Sequence, residues 1–379
     1  IVEPLPKLQW FIGVNRPFVL EHSQIEGIAS GSTVTLKQLM RHVVESQQIT
    51  MVPERYADTY FHWIDNLRDW CISRQIWYGH RVPVWYKDDQ VAVGDSAPSP
   101  DWTQDEDTLD TWFSSGLWTF STLGWPKATP DLSQYHPTDV LETAYEIIFF
   151  WVARMILMST SLVGQIPFRT VFFHGLVRDE KRQKLSKSKA DSANPLDLIA
   201  QFGADALRMG LIFNTSPGTD SVLSEQKIRG MKHFGNKLWN IARYVLMNVP
   251  AEDISTYATT RPSPGTDADK LILEQLDALT TSITANIDRF ALHEAAQEAY
   301  QFAWHEFADI YLEASKDQLL DEASAQQTRH ILVWTLVAIL KLLHPFTPFV
   351  TEALWARILP QEKLLMVASW PKPSDSVVH

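Results

Sequence analysis

Lys184-Leu185-Ser186-Lys187-Ser188 places two ammonium groups and two hydroxyls within five residues, ten residues after His174-Gly175. Lysines at this spacing can neutralise charge as a pyrophosphate leaves. Ser186, Ser188 and backbone N–H groups can hold phosphate oxygens. Lysine–serine runs also occur in solvated loops, so the flanking elements carry the argument. Phe168-Arg169-Thr170-Val171-Phe172-Phe173 reads as a buried strand that ends at His174-Gly175. Beyond the loop, Asn194-Pro195-Leu196-Asp197 opens a helix with proline in its first turn. A strand, a basic loop at its carboxyl end and a helix form the ligand-binding edge of an open α/β sheet.

The elements that must hold this edge follow from periodicity and punctuation. Leu8 to Ile12 is strand-like, and polar and helical segments follow to residue 50. Residues 51–86 carry an aromatic helix and an Arg-Val-Pro-Val-Trp-Tyr strand over 81–86. Residues 87–109 are acidic and dotted with Pro and Ser, which predicts a surface loop. From 110 to 190 the expected elements are a strand near Trp112, a long apolar helix over 141–163, the 168–173 strand and the basic loop. Residues 195–223 read as a helical connector ending at Asn214-Thr215-Ser216-Pro217-Gly218. After Ser224, a candidate N-cap, Ile228, Met231, Leu238, Ile241 and Val245 recur at helical spacing. Further helices are predicted over 268–285, 290–316, 325–343 and 347–358. Thr347 is the expected cap of the last one, and Pro348 suits its first turn.

Composition bounds the function class. With 379 residues, 45% of them hydrophobic, two or more cored domains are expected. The single Cys71 excludes a disulfide framework and a cysteine-rich zinc site. The sequence reading finds no apolar run of membrane-spanning length and no targeting pattern at the start, which points to the cytoplasm. A net charge of −12 looks unsuited to nucleic acid until it is mapped. Residues 226–250 hold Lys227, Arg229, Lys232, Lys237 and Arg243 without one Asp or Glu. Residues 178–189 are basic as well, and local basic surfaces are what carry phosphate contacts.

Several long strings carry a family resemblance. They are Asp69-Trp70-Cys71-Ile72-Ser73-Arg74-Gln75, Asp110-Thr111-Trp112-Phe113-Ser114-Ser115-Gly116-Leu117-Trp118 and Ile147-Ile148-Phe149-Phe150-Trp151-Val152-Ala153-Arg154-Met155. His174-Gly175-Leu176-Val177-Arg178-Asp179 and His344-Pro345-Phe346-Thr347-Pro348-Phe349 join them. With the Lys184–Ser188 loop, this set resembles the class I aminoacyl-tRNA synthetases, and within them the valyl branch. The resemblance implies an α/β fold followed by an all-α part. Residues 1–190 would be a partial catalytic domain, the second half of a Rossmann-like nucleotide-binding domain. Residues 191–223 would be a helical connector, and 224–379 an anticodon-binding helix bundle. The family's first signature, His-x-Gly-His, occurs nowhere in the chain. The expectation is therefore the back part of a synthetase, engineered or naturally split. Its N-terminal catalytic half and editing domain would be elsewhere, and the isolated piece would be inactive.

The same resemblance assigns roles. Lys184 and Lys187 would act on the leaving pyrophosphate. His174, Gly175, Lys184, Ser186, Lys187 and Ser188 would bind ATP, which brings Mg²⁺ on its phosphates. Valine needs an apolar slot for two methyls and a carboxylate for its ammonium group. Trp112, Ile147 and Trp151 would supply the slot, with one tryptophan on a strand end and the other on the facing helix. Glu146 would supply the carboxylate, at a position where the family usually has Asp. Lys189-Ala190-Asp191 replaces the family's usual Leu-Gly-Asn, so the loop loses a glycine and gains a charge. Lys87-Asp88-Asp89-Gln90 stands where some relatives have a Cys-x-x-Cys knuckle, so no zinc and no protein-bound metal is expected. Lys237, Asn240 and Tyr244 share one helix face at i, i+3 and i+7. That face would meet the anticodon of valine tRNA: Lys for phosphate, Asn for a base edge, Tyr for stacking. Two alternatives remain: a tRNA-binding piece with no catalysis of its own, and the isoleucyl branch.

Overall fold

The structure is a computed structural model that describes residues 7–178, 182–183 and 194–374. It divides into two compact units, residues 1–174 and 175–379.

In the first unit, β1 (Phe11–Ile12) is followed by α1 (Leu36–Glu45). Thr35 caps α1, accepting from Gln38 N while the Gln38 side chain returns to the Thr35 N–H. The helix buries Leu36, Leu39, Met40, Val43 and Val44, one face at i, i+3, i+4, i+7, i+8. β2 (Thr50–Val52) leads into α2 (Arg55–Asp65). Short strands follow: β3 (Trp70–Cys71), β4 (Ser73–Arg74), β5 (Val84–Lys87), β6 (Gln90–Val93), β7 (Thr103–Gln104) and β8 (Thr108–Leu109). The stretch 87–109 is thus not only loop. β6 and β7 pair antiparallel on either side of β5, and β8 pairs with β4, so the acidic composition masked edge strands.

Two more elements differ from the sequence expectation. Trp112 lies not on a strand but in the first turn of α3 (Thr111–Gly116), because Asp110 caps that turn through Trp112 N. The apolar run 141–163 is not one helix. Residues Thr138–Ala144 form β9, then come a 3₁₀ turn (Tyr145–Ile147), a π-helix (Ile148–Val152) and α4 (Ala153–Leu162). The residues of β9 are claimed by a parallel partner, β10 (Phe168–His174), in a register running from Thr138↔Phe168 to Ala144↔His174. Burying Leu141 and Thr143 two residues apart selects a strand over a helix. β10 also pairs in parallel with β2, giving the order β9-β10-β2. Phe168, Val171 and Phe173 of this middle strand are fully buried. The run Tyr145–Leu162 does reach the length and apolarity of a membrane span. It is broken into three helical types, and residues 152–160 are buried in the core of this unit, so it reads as a core element.

In the second unit, β11 (Val177–Arg178) pairs in parallel with β12 (Ser221–Val222). Between them lie α5 (Pro195–Phe202), capped by Asn194 through Leu196 N, and α6 (Ala204–Ile212). Ser224 caps α7 (Glu225–Asn248) through Lys227 N, and Ile228, Phe234, Leu238, Ile241 and Val245 are buried along it. α8 (Asp267–Asp288) and α9 (Leu292–Gln301) follow. The predicted helix over 290–316 is interrupted: Phe302–Tyr311 is a π-helix, continued by α10 (Leu312–Leu320). α11 (Ala325–Leu343) runs through the bundle core, and α12 (Pro348–Ile358) closes it. Thr347 makes no side-chain cap to α12; its hydroxyl turns back to Leu343 O. The cap comes from Asp205 on α6.

Candidate functional site

The carboxyl edge of the parallel sheet in the first unit gathers most of the residues singled out there. His174 ends β10, and its Nε2 lies 3.2 Å from Glu142 Oε1 on the neighbouring strand. Ala144, the residue paired with His174, hands the chain to the 3₁₀ turn that carries Glu146 and Ile147. Tyr145 stacks on Tyr56 at 5.6 Å, and Tyr56 packs against Phe173, so the turn is fixed against the sheet. Glu146 is exposed and Ile147 half-buried.

The π-helix then adds a residue to its turn, which re-aims the side chains relative to an α-helix. α3 packs against both the π-helix and α4. Trp151 is half-buried and donates from Nε1 to Ser115 O at 3.2 Å. Trp112 stacks on Phe150 at 5.7 Å with its plane only 27° from that ring. The two tryptophans are therefore brought to one junction, and the turn bearing Glu146 and Ile147 leads into it. Trp112 does not face Trp151 as a bare wall; Phe150 lies against it.

Behind Trp112 is a buried polar node that residue type did not suggest. Asp110 accepts from Trp112 N at 3.3 Å and from Trp70 Nε1 at 3.0 Å, and pairs with Arg74 Nη2 at 3.0 Å. The guanidinium of Arg154 lies 3.5 Å over the Trp70 ring. Both Asp110 and Arg154 fall inside the quoted strings, and that was the only signal for them.

In the second unit, Gly175 is pressed against its own backbone. A Cβ there would sit 2.0 Å from Thr219 O. The close approach that favours glycine at this position is thus made by the chain itself. Asp220 binds Leu176 N at 2.8 Å and Arg178 Nε at 2.6 Å, tying the same corner together. Lys184, Ser186, Lys187 and Ser188, and with them Lys189, Ala190 and Asp191, lie outside the described residues.

The predicted face of α7 is occupied in part. Lys237 Nζ is bound to Asp309 Oδ1 at 2.9 Å and lies 5.5 Å over Trp304. That contact, with His305 on the other oxygen at 3.2 Å, holds the Asp309 carboxyl below the usual carboxylate range. Asn240 is exposed. Tyr244 is half-buried, with its hydroxyl 3.4 Å from Ser315 Oγ. Among the described residues, no group of three or more His, Cys, Asp or Glu side chains is placed to hold a metal ion.

Two family descriptions match this chain. The one for tRNA synthetases class I (I, L, M and V) covers residues 6–99 and 95–224. The one for the anticodon-binding domain of tRNA ligase covers 269–378. A valine–tRNA ligase of Clostridium tetani is 42% identical over 98% of the chain, and one of Bacillus subtilis is 41% identical over 98%. The chain spans about two fifths of these curated relatives, 41% of the length of each. Among solved structures, a LeuRS of Agrobacterium radiobacter in complex with tRNA superimposes with a TM-score of 0.70 at 19% identity. It covers 85% of this chain and 45% of that one. Methionyl-tRNA synthetase of Mycobacterium tuberculosis gives 0.64 at 21% identity, covering 84% and 60%. At these identities the two structures speak for the fold.

Proposed function

The chain belongs to the class I tRNA synthetases of the I, L, M and V group, and from that premise we propose that it serves valine activation and transfer to valine tRNA. In the reaction, a valine carboxylate oxygen attacks the α-phosphorus of ATP. The bond from the α-phosphorus to the α,β-bridging oxygen breaks, pyrophosphate leaves with that oxygen and the bond's electron pair, and valyl-adenylate forms. The terminal adenosine of the tRNA then takes the valyl group and AMP departs. No side chain acts as a nucleophile; the protein supplies placement and charge.

In this reading Lys184 and Lys187 neutralise the departing pyrophosphate, while Ser186 and Ser188 bind its oxygens. His174 and Gly175 line the adenosine site. Mg²⁺ arrives on the ATP phosphates rather than in a protein cage. Trp112, Ile147 and Trp151 form the apolar slot, and Glu146 receives the ammonium group. Lys237, Asn240 and Tyr244 meet the anticodon loop. The rest of the catalytic site and the editing function come from polypeptide beyond these residues, and the location is the cytoplasm.

The observation that carries the reading is the α3–π-helix junction, where Trp112 stacks on Phe150 and Trp151 donates to Ser115 O, next to a turn bearing an exposed carboxylate. The test is Lys187→Ala in the full-length protein. A charge that acts as pyrophosphate leaves should lower kcat for adenylate formation while KM for valine barely moves. Lost valine affinity with kcat preserved would refute the loop's role. The match of the anticodon-binding description to residues 269–378 supports a second reading, a tRNA-binding piece without catalysis. Valine-dependent ATP–pyrophosphate exchange by the full-length protein that Lys187→Ala lowers would exclude it.

A further inference from the structure

We propose that Arg154 is a positioning residue for the amino-acid slot, setting the spacing of Trp112 and Trp151 through Trp70 and Asp110. The inference rests on the reading that these two tryptophans wall the slot.

Arg154 is only 7% exposed, and its Nη1 is buried without a hydrogen-bond partner. Burial pushes the guanidinium pKa down to about 10; Asp110 pulls it back up, and Arg74 lowers it further. It is still a cation at neutral pH. A buried cation with an unmet donor is poor stabilising material, since an apolar side chain of the same volume fits such a place at lower cost. Its gains are local. The guanidinium lies over two rings, 3.5 Å from the centre of Trp70 and 5.2 Å from that of Phe149, where the ring quadrupole attracts it.

What these contacts do is join the two walls. Arg154 is in the first turn of α4, three residues after Trp151. The ring beneath it, Trp70, belongs to β3 and donates to Asp110 Oδ2. The other oxygen of Asp110 fixes Trp112 N at the start of α3. A chain of contacts thus runs from the backbone of one wall, through a stacked cation and a shared carboxylate, to the backbone of the other. Stacking needs the planar guanidinium; Lys offers a point charge on a flexible stem and holds the ring less well.

The test uses the full-length protein, assayed by ATP–pyrophosphate exchange with valine and with isoleucine, with circular dichroism as a check on folding. Arg154→Met, which keeps volume and removes the stack, should raise KM for valine and narrow the valine-to-isoleucine kcat/KM ratio by on the order of tenfold, as a small misplacement of a wall does. KM for ATP should not change. Arg154→Lys should fall between the two. Trp112→Ala is assayed beside them as the check on the slot itself. If Trp112→Ala moves the ratio but Arg154→Met and Arg154→Lys lower only stability, or kcat equally for both amino acids, the positioning role is overturned and the slot stands. If Trp112→Ala leaves valine KM and the ratio unchanged, the slot reading fails and takes this inference with it. Should Arg154→Met not fold, Arg154→Lys decides: an unchanged ratio overturns the proposal.

Discussion

Asp205 caps α12 from another helix: its Oδ1 accepts from Phe349 N at 3.1 Å, and its Oδ2 from Val350 N at 2.6 Å. The two N–H groups are donors that a helix cannot satisfy internally, and a carboxylate suits the positive end of the helix dipole. Arg208, one turn on along α6, donates to Pro345 O at 2.9 Å. The connector helix and the end of the bundle are thereby fastened at both sides of the His344–Pro348 corner. Asp205→Ala should cost about 1–2 kcal/mol in urea unfolding, the range for a lost cap, and Asp205→Asn less. Equal stability of wild type and Asp205→Ala would mean that water replaces the cap at no cost.

Gly175→Ala should destabilise the protein by about 1–3 kcal/mol, because the added methyl meets backbone that cannot rotate away. Thr219→Gly should not rescue it, since the clash is with the carbonyl of residue 219 and not with its side chain. A thermal melt of the single and double variants checks both statements. A neutral Gly175→Ala would contradict the close packing of this corner.

The pairing of Lys237 with Asp309 gives a prediction of unusual sign. If Lys237 meets phosphate, Asp309→Ala should release it, strengthen tRNA binding and steepen the salt dependence by about one unit of slope. Tyr244→Ala should weaken binding by about 1–3 kcal/mol, the range for one stacked base, while Tyr244→Phe should not. Filter binding of valine tRNA over a salt series separates the two effects. An unchanged slope in Asp309→Ala would remove Lys237 from the interface.

Acid should weaken the first unit through His136. Burial lowers its pKa, and its ring lies 3.3 Å from both Thr119 O and Ser159 Oγ. A histidine kept neutral when folded takes up a proton more readily when unfolded. Its contribution is therefore complete above the ordinary value of about 6.5 and is lost as pH falls from there through the lowered folded pKa. His344, also lowered by burial, acts in the same direction in the second unit. Unfolding stability followed from pH 8 to pH 5 should decline below about 6.5, and His136→Asn should flatten the part due to the first unit. A His136→Asn profile parallel to wild type would refute this.

Local chemistry was readable and long-range chemistry was not. The helix opening at Asn194-Pro195, the cap at Ser224 and the strand ending at His174 depend on neighbours within a few residues, and they stand as the sequence implied. The apolar run 141–163 could not be divided by inspection, because a buried parallel strand and a core helix are both continuously apolar. The π-helix at 148–152 was invisible for the same reason: one extra residue per turn leaves no mark on such a run. Asp205 reaches α12 across 144 residues, and no spacing rule spans that distance. Arg154 was hidden by its type, since arginine is seldom fully buried. The candidate positions themselves were proposed through whole strings, not through single residues.

The central claim is valine activation by a slot built on Trp112, Ile147 and Trp151. The most direct measurement is kcat/KM for ATP–pyrophosphate exchange by the full-length protein across valine, isoleucine, leucine and methionine. Valine should exceed each of the others, and Trp112→Ala should erode that preference while leaving KM for ATP unchanged. A higher kcat/KM for isoleucine, or a preference untouched by Trp112→Ala, would contradict the account.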